Sequence, residues 1–183
     1  MRPRCARCLR ARCLCGLALQ PPLAHRVELV VLQHPLEQFE AKGTARLLAL
    51  SLARCQIVVG EDFERPANPE GQVEALLYPG KGEALPSGWA PDRLRLFLLD
   101  GTWRKSRLLL HRNPWLQALP RLALNEAPPS AYAIRRAQAT HQLSTLEAAQ
   151  LALGQLEGDA EHFAPLSGVL AALVREVEGF KSA

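Results

Sequence analysis

The stretch Leu94-Arg-Leu-Phe-Leu-Leu-Asp100-Gly-Thr-Trp103 predicts the centre of the fold. Residues 94–99 are apolar except for Arg95, and their length is typical of a strand covered on both faces. Asp100-Gly101 is a turn signal, and a basic helical pattern follows over residues 103–112. Ligands of open α/β sheets bind just outside the carboxyl ends of the strands. Asp100 therefore has two open interpretations, as a residue of a binding site or as the N-cap of the next helix.

Strand and helix patterns alternate along the rest of the chain. Further strands are predicted at residues 27–32, 56–60, 74–78 and 120–124. Helices are predicted at residues 44–55, from Ser144 to residue 156, and at 165–180. Ser144 and Glu147 have the spacing of a capping box. This alternation predicts an α/β fold, a mainly parallel sheet with helices on both faces.

Size and composition narrow the class of protein. A chain of 183 residues with 48% hydrophobic content is expected to form one domain with a small appendage. No apolar run approaches the roughly 20 residues that a membrane span needs. The arginine-rich N-terminus lacks the apolar segment of a secretory signal. We therefore expect a cytoplasmic protein without a membrane partner; a monomer is favoured, and the sequence leaves the oligomeric state open.

Charge is distributed unevenly along the chain, whose net charge is +4. Residues 147–183 contain six acidic and two basic side chains. Residues 101–125, in contrast, contain five basic side chains and no acidic one. A one-sided basic surface beside a candidate site indicates a polyanionic partner such as RNA. The alternative is an ordinary solvated face.

Four of the five cysteines fall within eleven residues, with the spacing Cys-x2-Cys-x4-Cys-x-Cys. They are Cys5, Cys8, Cys13 and Cys15. In a cytosolic protein such a cluster is more often a metal site than a disulfide framework. Four thiolates suit a structural zinc ion, and redox-active or unliganded thiols are the alternative. We predict a zinc-binding module at residues 1–20, with interleaved arginines that contact phosphates, and a main domain at residues 21–183.

Other candidate site residues follow the predicted strands. His34-Pro35-Leu36-Glu37 comes after the first strand, as site residues or as a turn. Tyr78-Pro79-Gly80 follows the third strand and exposes backbone groups suited to a pocket or to an ordinary turn. Tyr132, close to Arg135-Arg136, has the composition of a site that stacks a base and contacts phosphate in RNA. Neither a Gly-x-Gly-x-x-Gly motif nor a Walker loop is present.

Together these motifs resemble the DTW-domain family of tRNA-uridine aminocarboxypropyltransferases over almost the whole chain. The matching motifs are the cysteine cluster, His34-Pro35-x-Glu37, Thr44-Ala-Arg46-Leu, Leu77-Tyr78-Pro79, Asp100-Gly-Thr102-Trp103-Arg104-Lys105, Asn113-Pro114-Trp115, Leu119-Pro120, Tyr132 with Arg135, and Leu143-Ser144-Thr145-Leu146-Glu147. Gly43 departs from the pattern, because Asn is expected there in many relatives.

The resemblance implies a SPOUT-like fold with a trefoil knot in the C-terminal half. It implies S-adenosylmethionine as the donor of a 3-amino-3-carboxypropyl group to N3 of a uridine in tRNA, with methylthioadenosine released. The donor is then expected in loops at strand ends: residues 77–80, 100–103, 122–125 and 143–146. The alternatives are a SPOUT-type RNA methyltransferase and a non-catalytic, zinc-containing RNA-binding module.

The resemblance also implies roles for individual residues. Asp100 is the candidate base for uridine N3–H; since an ordinary Asp has a pKa of about 3.9, a positioning role is the alternative. Thr102 either contacts the donor or caps the helix, and Trp103 either stacks on a base or lies in the core. The candidate donor-binding residues are Leu77, Tyr78, Pro79, Gly80, Thr102, Trp103, Leu122, Leu124, Ser144, Thr145 and Leu146. Among them, Ser144 and the N–H groups of Thr145 and Leu146 are expected to hold the methionine carboxylate. The candidate tRNA-binding residues are His34, Glu37, Arg46, Arg104, Lys105, Tyr132, Arg135 and Arg136.

Overall fold

The computed structural model describes residues 3–80, 88–124, 129–132 and 143–179. In this part of the chain, parallel strands form one sheet in the order β2-β1-β4-β3-β5. The strands are β1 (Glu28–Gln33), β2 (Cys55–Val59), β3 (Val73–Leu77), β4 (Leu94–Asp100) and β5 (Arg121–Leu122). The predicted parallel sheet is confirmed, and β4 lies at its centre.

Six α-helices accompany these strands within the described residues. They are α1 (Ala45–Ser51), α2 (Trp103–Arg112), α3 (Pro114–Gln117), α4 (Thr145–Glu157), α5 (Ala160–Phe163) and α6 (Pro165–Gly179). Short 3-10 turns lie at Cys15–Leu17, Pro35–Glu37 and Pro91–Arg93. None of the helices described is both long and apolar enough to cross a membrane.

Helices cover both faces of the sheet, as predicted. One face packs apolar side chains of β1, β3 and β4 against α1, α4 and α6, and the opposite face packs against α2 and α3. In β1, alternate residues therefore enter different cores: Leu29 and Val31 lie in the first, and Val30 and Leu32 in the second. Burial on both sides is why the central strands are almost continuously apolar.

The first helix is shorter than its apolar pattern predicts. The expected helix over residues 44–55 ends at Ser51, because Leu52 adopts an extended conformation and forms a parallel bridge with Leu23. Cys55, predicted at the helix end, is instead the first residue of β2. Burial raises the pKa of its thiol to about 12, in keeping with the predicted packing role.

The N-terminal residues pack on the sheet domain. Leu14 and Ala18 belong to the same apolar core as α1, α4 and α6. These contacts join residues on the two sides of the domain boundary that the sequence predicts at residue 20. The knot implied by the resemblance concerns the C-terminal half, where residues 125–128 and 133–142 lie outside the described part, and it stays a prediction.

Candidate active site at the carboxyl end of the sheet

Parallel pairing brings the ends of β1 and β4 side by side. Gln33 lies opposite Asp100 in the register. Asp100 is only 3% exposed, and its Oδ2 accepts a hydrogen bond from Gln33 Nε2 at 2.7 Å. Its other carboxylate oxygen, Oδ1, accepts from the hydroxyl of Thr145, the first residue of α4. Three segments distant in sequence therefore meet at one buried carboxylate.

The structure rejects the N-cap interpretation of Asp100. Asp100 is still the last residue of β4, and its carbonyl accepts from the amide of His34 at 3.0 Å. Thr102 caps α2 instead, since its hydroxyl oxygen accepts from the Lys105 amide at 3.4 Å. The carboxylate of Asp100 thus contacts β1 and α4.

The N-terminus of α4 begins with the predicted capping box. The Ser144 hydroxyl oxygen accepts from the Glu147 amide at 3.3 Å, and the Glu147 carboxylate accepts from the Ser144 amide at 2.7 Å. The Leu146 amide, predicted to bind the donor, already donates to the Thr44 hydroxyl at 3.3 Å. A donor carboxylate at this helix end is therefore left with the Thr145 amide and the Ser144 hydroxyl.

Glu147 has a second task beyond capping. Its carboxylate accepts hydrogen bonds from Ser130 Oγ and the Ala131 amide, so it anchors the short segment of residues 129–132. Tyr132 in this segment is buried and donates its hydroxyl to the carbonyl of Lys42. Its ring thus belongs to the core, whereas the sequence predicts a ring that stacks on RNA. Arg135 and Arg136 lie outside the described residues.

Tyr78 and Trp103 form an aromatic pair at the rim of the site. Their ring centroids are 5.6 Å apart and the ring planes differ by 10°. Trp103 is 43% exposed, so its predicted alternative as a core residue is wrong. The Arg121 guanidinium lies 5.3 Å from the centre of the Tyr78 ring and donates to the Pro79 carbonyl. The loops after β3 and β4 therefore come together, as the motifs predict.

The other residues predicted to bind S-adenosylmethionine differ in their exposure to solvent. Leu122 is buried in the core, and Leu77 and Leu124 pack against it while partly exposed. Pro79 and Gly80 are exposed, and Gly80 has a φ of 112°, a conformation that favours glycine. Both residues are therefore accessible to a ligand.

Two predicted substrate residues serve as turn residues with internal partners. His34 is buried; its Nδ1 accepts from the Leu36 amide at 3.2 Å, and its Nε2 lies 3.2 Å from Glu61 Oε1. Glu37 is also buried and pairs with Lys105 Nζ at 2.8 Å. This geometry favours the turn interpretation, and it removes the Lys105 ammonium from the set of unpaired basic groups.

The basic surface of α2 is smaller than its sequence suggests. Arg112 pairs with Glu61 and Asp62. Arg104 and Arg107 are exposed and have no carboxylate partner among the described residues. Arg46 is half-buried, and within the same residues its Nε finds no acceptor.

The four clustered cysteines have the geometry of a metal site. Their sulfur atoms all lie within 4.8 Å of one another, with 3.5 Å between Cys5 and Cys13 and 3.7 Å between Cys5 and Cys15. A tetrahedral zinc with bonds of about 2.3 Å spaces its sulfurs by about 3.8 Å, so the set fits. Backbone N–H groups of Cys8 and Arg7 lower the pKa of the Cys5 thiol to about 6, which favours the thiolate that a metal requires. Burial raises the pKa of the Cys15 thiol to about 12.

Arg10 connects the cysteine loop to the sheet domain. Its guanidinium donates to the carbonyls of Glu40, Ala41 and Gly43. Burial lowers the pKa of Arg10. A Cβ added at Gly43 would lie 3.3 Å from the Glu40 carbonyl oxygen, a close contact that a small shift of the backbone would relieve.

The predicted phosphate contacts of this loop therefore do not include Arg10. Two more of its arginines have internal partners: Arg12 pairs with Glu176 at 3.4 Å, and the Arg4 guanidinium lies 4.1 Å from the centre of the Phe39 ring. Arg2 lies outside the described residues. The loop thus directs several of its guanidinium groups to the protein itself.

Comparison with known proteins agrees with this arrangement of motifs. The DTW domain matches residues 2–178. The chain belongs to the DTW domain family. The proteins named tRNA-uridine aminocarboxypropyltransferase 2 of Macaca fascicularis and Mus musculus are each 31% identical over 172 residues, which is 85% of this chain and 57% of the relative. The protein of that name from Drosophila melanogaster is 31% identical over 175 residues, 87% of this chain and 69% of the relative.

This DTW domain spans little more than half the length of its macaque and mouse relatives. No solved structure matches the chain significantly.

Two polar residues of this DTW domain make contacts that the sequence did not predict. The side-chain amide of Gln33 donates a hydrogen bond to Asp100. The hydroxyl of Thr44 accepts one from the backbone amide of Leu146 at the start of α4. The available signal for Gln33 was a polar residue at the end of an otherwise apolar strand, one position before His34-Pro35. Its partner lies 67 positions away, which no local pattern reveals.

Proposed function

We propose that this chain transfers the 3-amino-3-carboxypropyl group of S-adenosylmethionine to N3 of a uridine in tRNA. The main support for this proposal is the buried carboxylate of Asp100 at the carboxyl end of the central strand, which Gln33 and Thr145 hold by hydrogen bonds. Ligands of open parallel sheets bind at this end. Membership of the DTW domain family and the names of the relatives support the same reaction class.

The proposed step is a displacement at the γ-carbon of the methionine arm. A bond forms between uridine N3 and Cγ while the bond between Cγ and the sulfonium sulfur breaks. The electron pair of the broken bond stays on sulfur, so methylthioadenosine leaves as a neutral thioether. The N3 proton passes to Asp100, or Asp100 aligns N3–H by accepting its hydrogen bond. General bases typically contribute 10²–10⁴-fold, and alignment contributes independently.

The surrounding groups have proposed roles in binding. The exposed face of Trp103, stacked on Tyr78, suits a base of the donor or of the tRNA. The Thr145 amide and the Ser144 hydroxyl suit the donor carboxylate, because the N-terminus of α4 favours an anion. Exposed Arg104 and Arg107 suit tRNA phosphates, and Arg135 and Arg136 remain proposed contacts of the same kind.

The proposal extends to the cysteine cluster and to the fold. The four thiolates leave no open position on a tetrahedral ion, so a zinc ion there has a structural role. Mass spectrometry of the native protein should find one zinc ion per chain. Active, folded protein without metal would contradict this structural role. The SPOUT-like fold with a C-terminal knot rests on the family resemblance, and an experimental trace through residues 122–145 tests it.

One experiment separates the proposed function from its alternatives. tRNA is incubated with protein and S-adenosylmethionine, and its nucleosides are analysed by mass spectrometry. We expect aminocarboxypropylated uridine together with methylthioadenosine. Methylated uridine with S-adenosylhomocysteine would instead identify a methyltransferase. If calorimetry detects no binding of S-adenosylmethionine, the remaining alternative is a non-catalytic RNA-binding module.

A further inference from the structure

The side chain of Gln33 carries a buried acceptor that the protein does not use. Gln33 is 1% exposed, and its Nε2 donates to Asp100 Oδ2 at 2.7 Å. A carboxylate oxygen only accepts, so this bond fixes which end of the amide is nitrogen. Within the described residues, Gln33 Oε1 is buried and receives no hydrogen bond.

Two neighbouring donors among the described residues are already engaged. The Thr145 hydroxyl donates to Asp100 Oδ1, and the His34 amide donates to the Asp100 carbonyl. Nearly all buried acceptors in folded proteins have a partner, and leaving one without a donor is unfavourable. An acceptor of this kind beside a candidate catalytic carboxylate points to a ligand that brings its own N–H group.

We infer that Gln33 Oε1 accepts a hydrogen bond from the α-ammonium group of the donor's methionine arm. This inference rests on the proposed function and names one contact within it. An ammonium group has three N–H donors and no acceptor, so it suits a carbonyl oxygen next to a carboxylate. Uridine N3–H already has an acceptor in the proposed step, the carboxylate of Asp100, so the ammonium is the N–H group left for Gln33 Oε1.

The covalent structure of the donor makes this contact compatible with the reaction at Asp100. The α-nitrogen is three bonds from the γ-carbon, so the ammonium lies within a few ångströms of the reacting centre. Asp100 then faces N3–H while Gln33 holds the arm beside it. Anchoring the arm turns the γ-carbon toward the uridine and the methyl group away. Gln33 thereby acts as a specificity residue for aminocarboxypropyl transfer over methyl transfer.

The test compares two ligands on the full chain by calorimetry: S-adenosylmethionine, and methylthioadenosine, which lacks the arm. Gln33→Leu is expected to weaken S-adenosylmethionine by about tenfold to a hundredfold, the loss typical of a hydrogen bond to a charged group. Methylthioadenosine affinity should stay within about twofold of wild type. Gln155→Leu, at an exposed position of α4, is the matched control and should change neither affinity.

Other outcomes overturn the inference. If Gln33→Leu weakens both ligands equally, or neither, Gln33 does not bind the arm. If the variant keeps its preference for S-adenosylmethionine but raises KM for tRNA, the partner is uridine N3–H. If the wild type binds neither ligand, the proposed function itself fails, and the inference fails with it.

A second measurement does not depend on the folding of a variant. The wild-type protein is titrated with an analogue of S-adenosylmethionine in which hydrogen replaces the α-amino group. We expect binding at least about tenfold weaker than that of S-adenosylmethionine. Equal affinity for the two compounds would contradict an ammonium contact.

Discussion

The two ends of the same parallel sheet bury polar groups in different ways. At the amino end, Arg95 of β4 pairs with Glu28 and Glu74, each at 3.1 Å, and Arg65 adds a second cation at 2.6 Å from Glu74. At the carboxyl end, five residues further along β4, Asp100 accepts hydrogen bonds from the uncharged side chains of Gln33 and Thr145, and Gln33 Oε1 has no donor among the described residues.

This difference separates stability from ligand binding. The amino end is a network of opposite charges in which each carboxylate has a cation, so the protein alone satisfies it. At the carboxyl end, the buried Gln33 Oε1 has no donor in the described part of the chain, which leaves an acceptor for a ligand. Substitutions at the amino end should therefore change the free energy of unfolding, and substitutions at the carboxyl end should change activity.

The largest expected effect is on activity, at the carboxyl end. Asp100→Asn removes the proposed base while keeping the size of the side chain, so formation of aminocarboxypropylated uridine should fall by about 10²–10⁴-fold. Nucleoside mass spectrometry measures this rate, and thermal unfolding should give a Tm close to that of wild type. Asp92→Asn, at an exposed position, is the control. An unchanged rate in Asp100→Asn would exclude Asp100 as the base.

The matching substitution at the amino end should affect stability. Arg95→Met leaves Glu28 and buried Glu74 without their shared cation, and the free energy of unfolding should fall by about 3–5 kcal/mol. Urea denaturation measures it, with Arg93→Met as an exposed control. The activity of the folded fraction should stay within about twofold. A loss of activity without a loss of stability would reverse the comparison.

A smaller effect is expected at the rim. Trp103→Ala removes the exposed ring stacked on Tyr78, and binding of tRNA or of the donor should weaken by about tenfold, as for the loss of one stacked base. Leu108→Ala removes an apolar side chain of similar exposure on the same helix and should leave both affinities unchanged. Equal losses in the two variants would indicate a general effect on α2 and no stacking site.

The smallest expected effect concerns the salt dependence of tRNA binding. Arg107→Gln removes an exposed cation without a carboxylate partner in the described part of the chain, so the slope of log K against log salt should fall by about one. Arg112→Gln should leave the slope unchanged, because Arg112 is paired with Glu61 and Asp62. A larger change for Arg112 would show that tRNA breaks this pair.

Several features of the fold followed from local patterns. Strand β4, the capping box of Ser144 and Glu147, and the length of α2 depend on residues close in sequence, and the structure agrees with each. The helix over residues 44–55 was predicted too long, because Leu52 leaves the helix to pair with Leu23. An apolar pattern cannot reveal that competition, since a buried Leu suits both conformations.

The sequence by itself determined the family, the central strand with a carboxylate at its end, and the four-cysteine cluster, because each is written in residues that are near neighbours or form ordered motifs. Only the tertiary structure decided which side chains are engaged. The pairing of Lys105 with Glu37 and the burial of the Tyr132 ring join residues 68 and 90 positions apart. The contact of Gln33 with Asp100 likewise joins residues 67 positions apart. Packing of segments that are distant in sequence creates all three of these contacts.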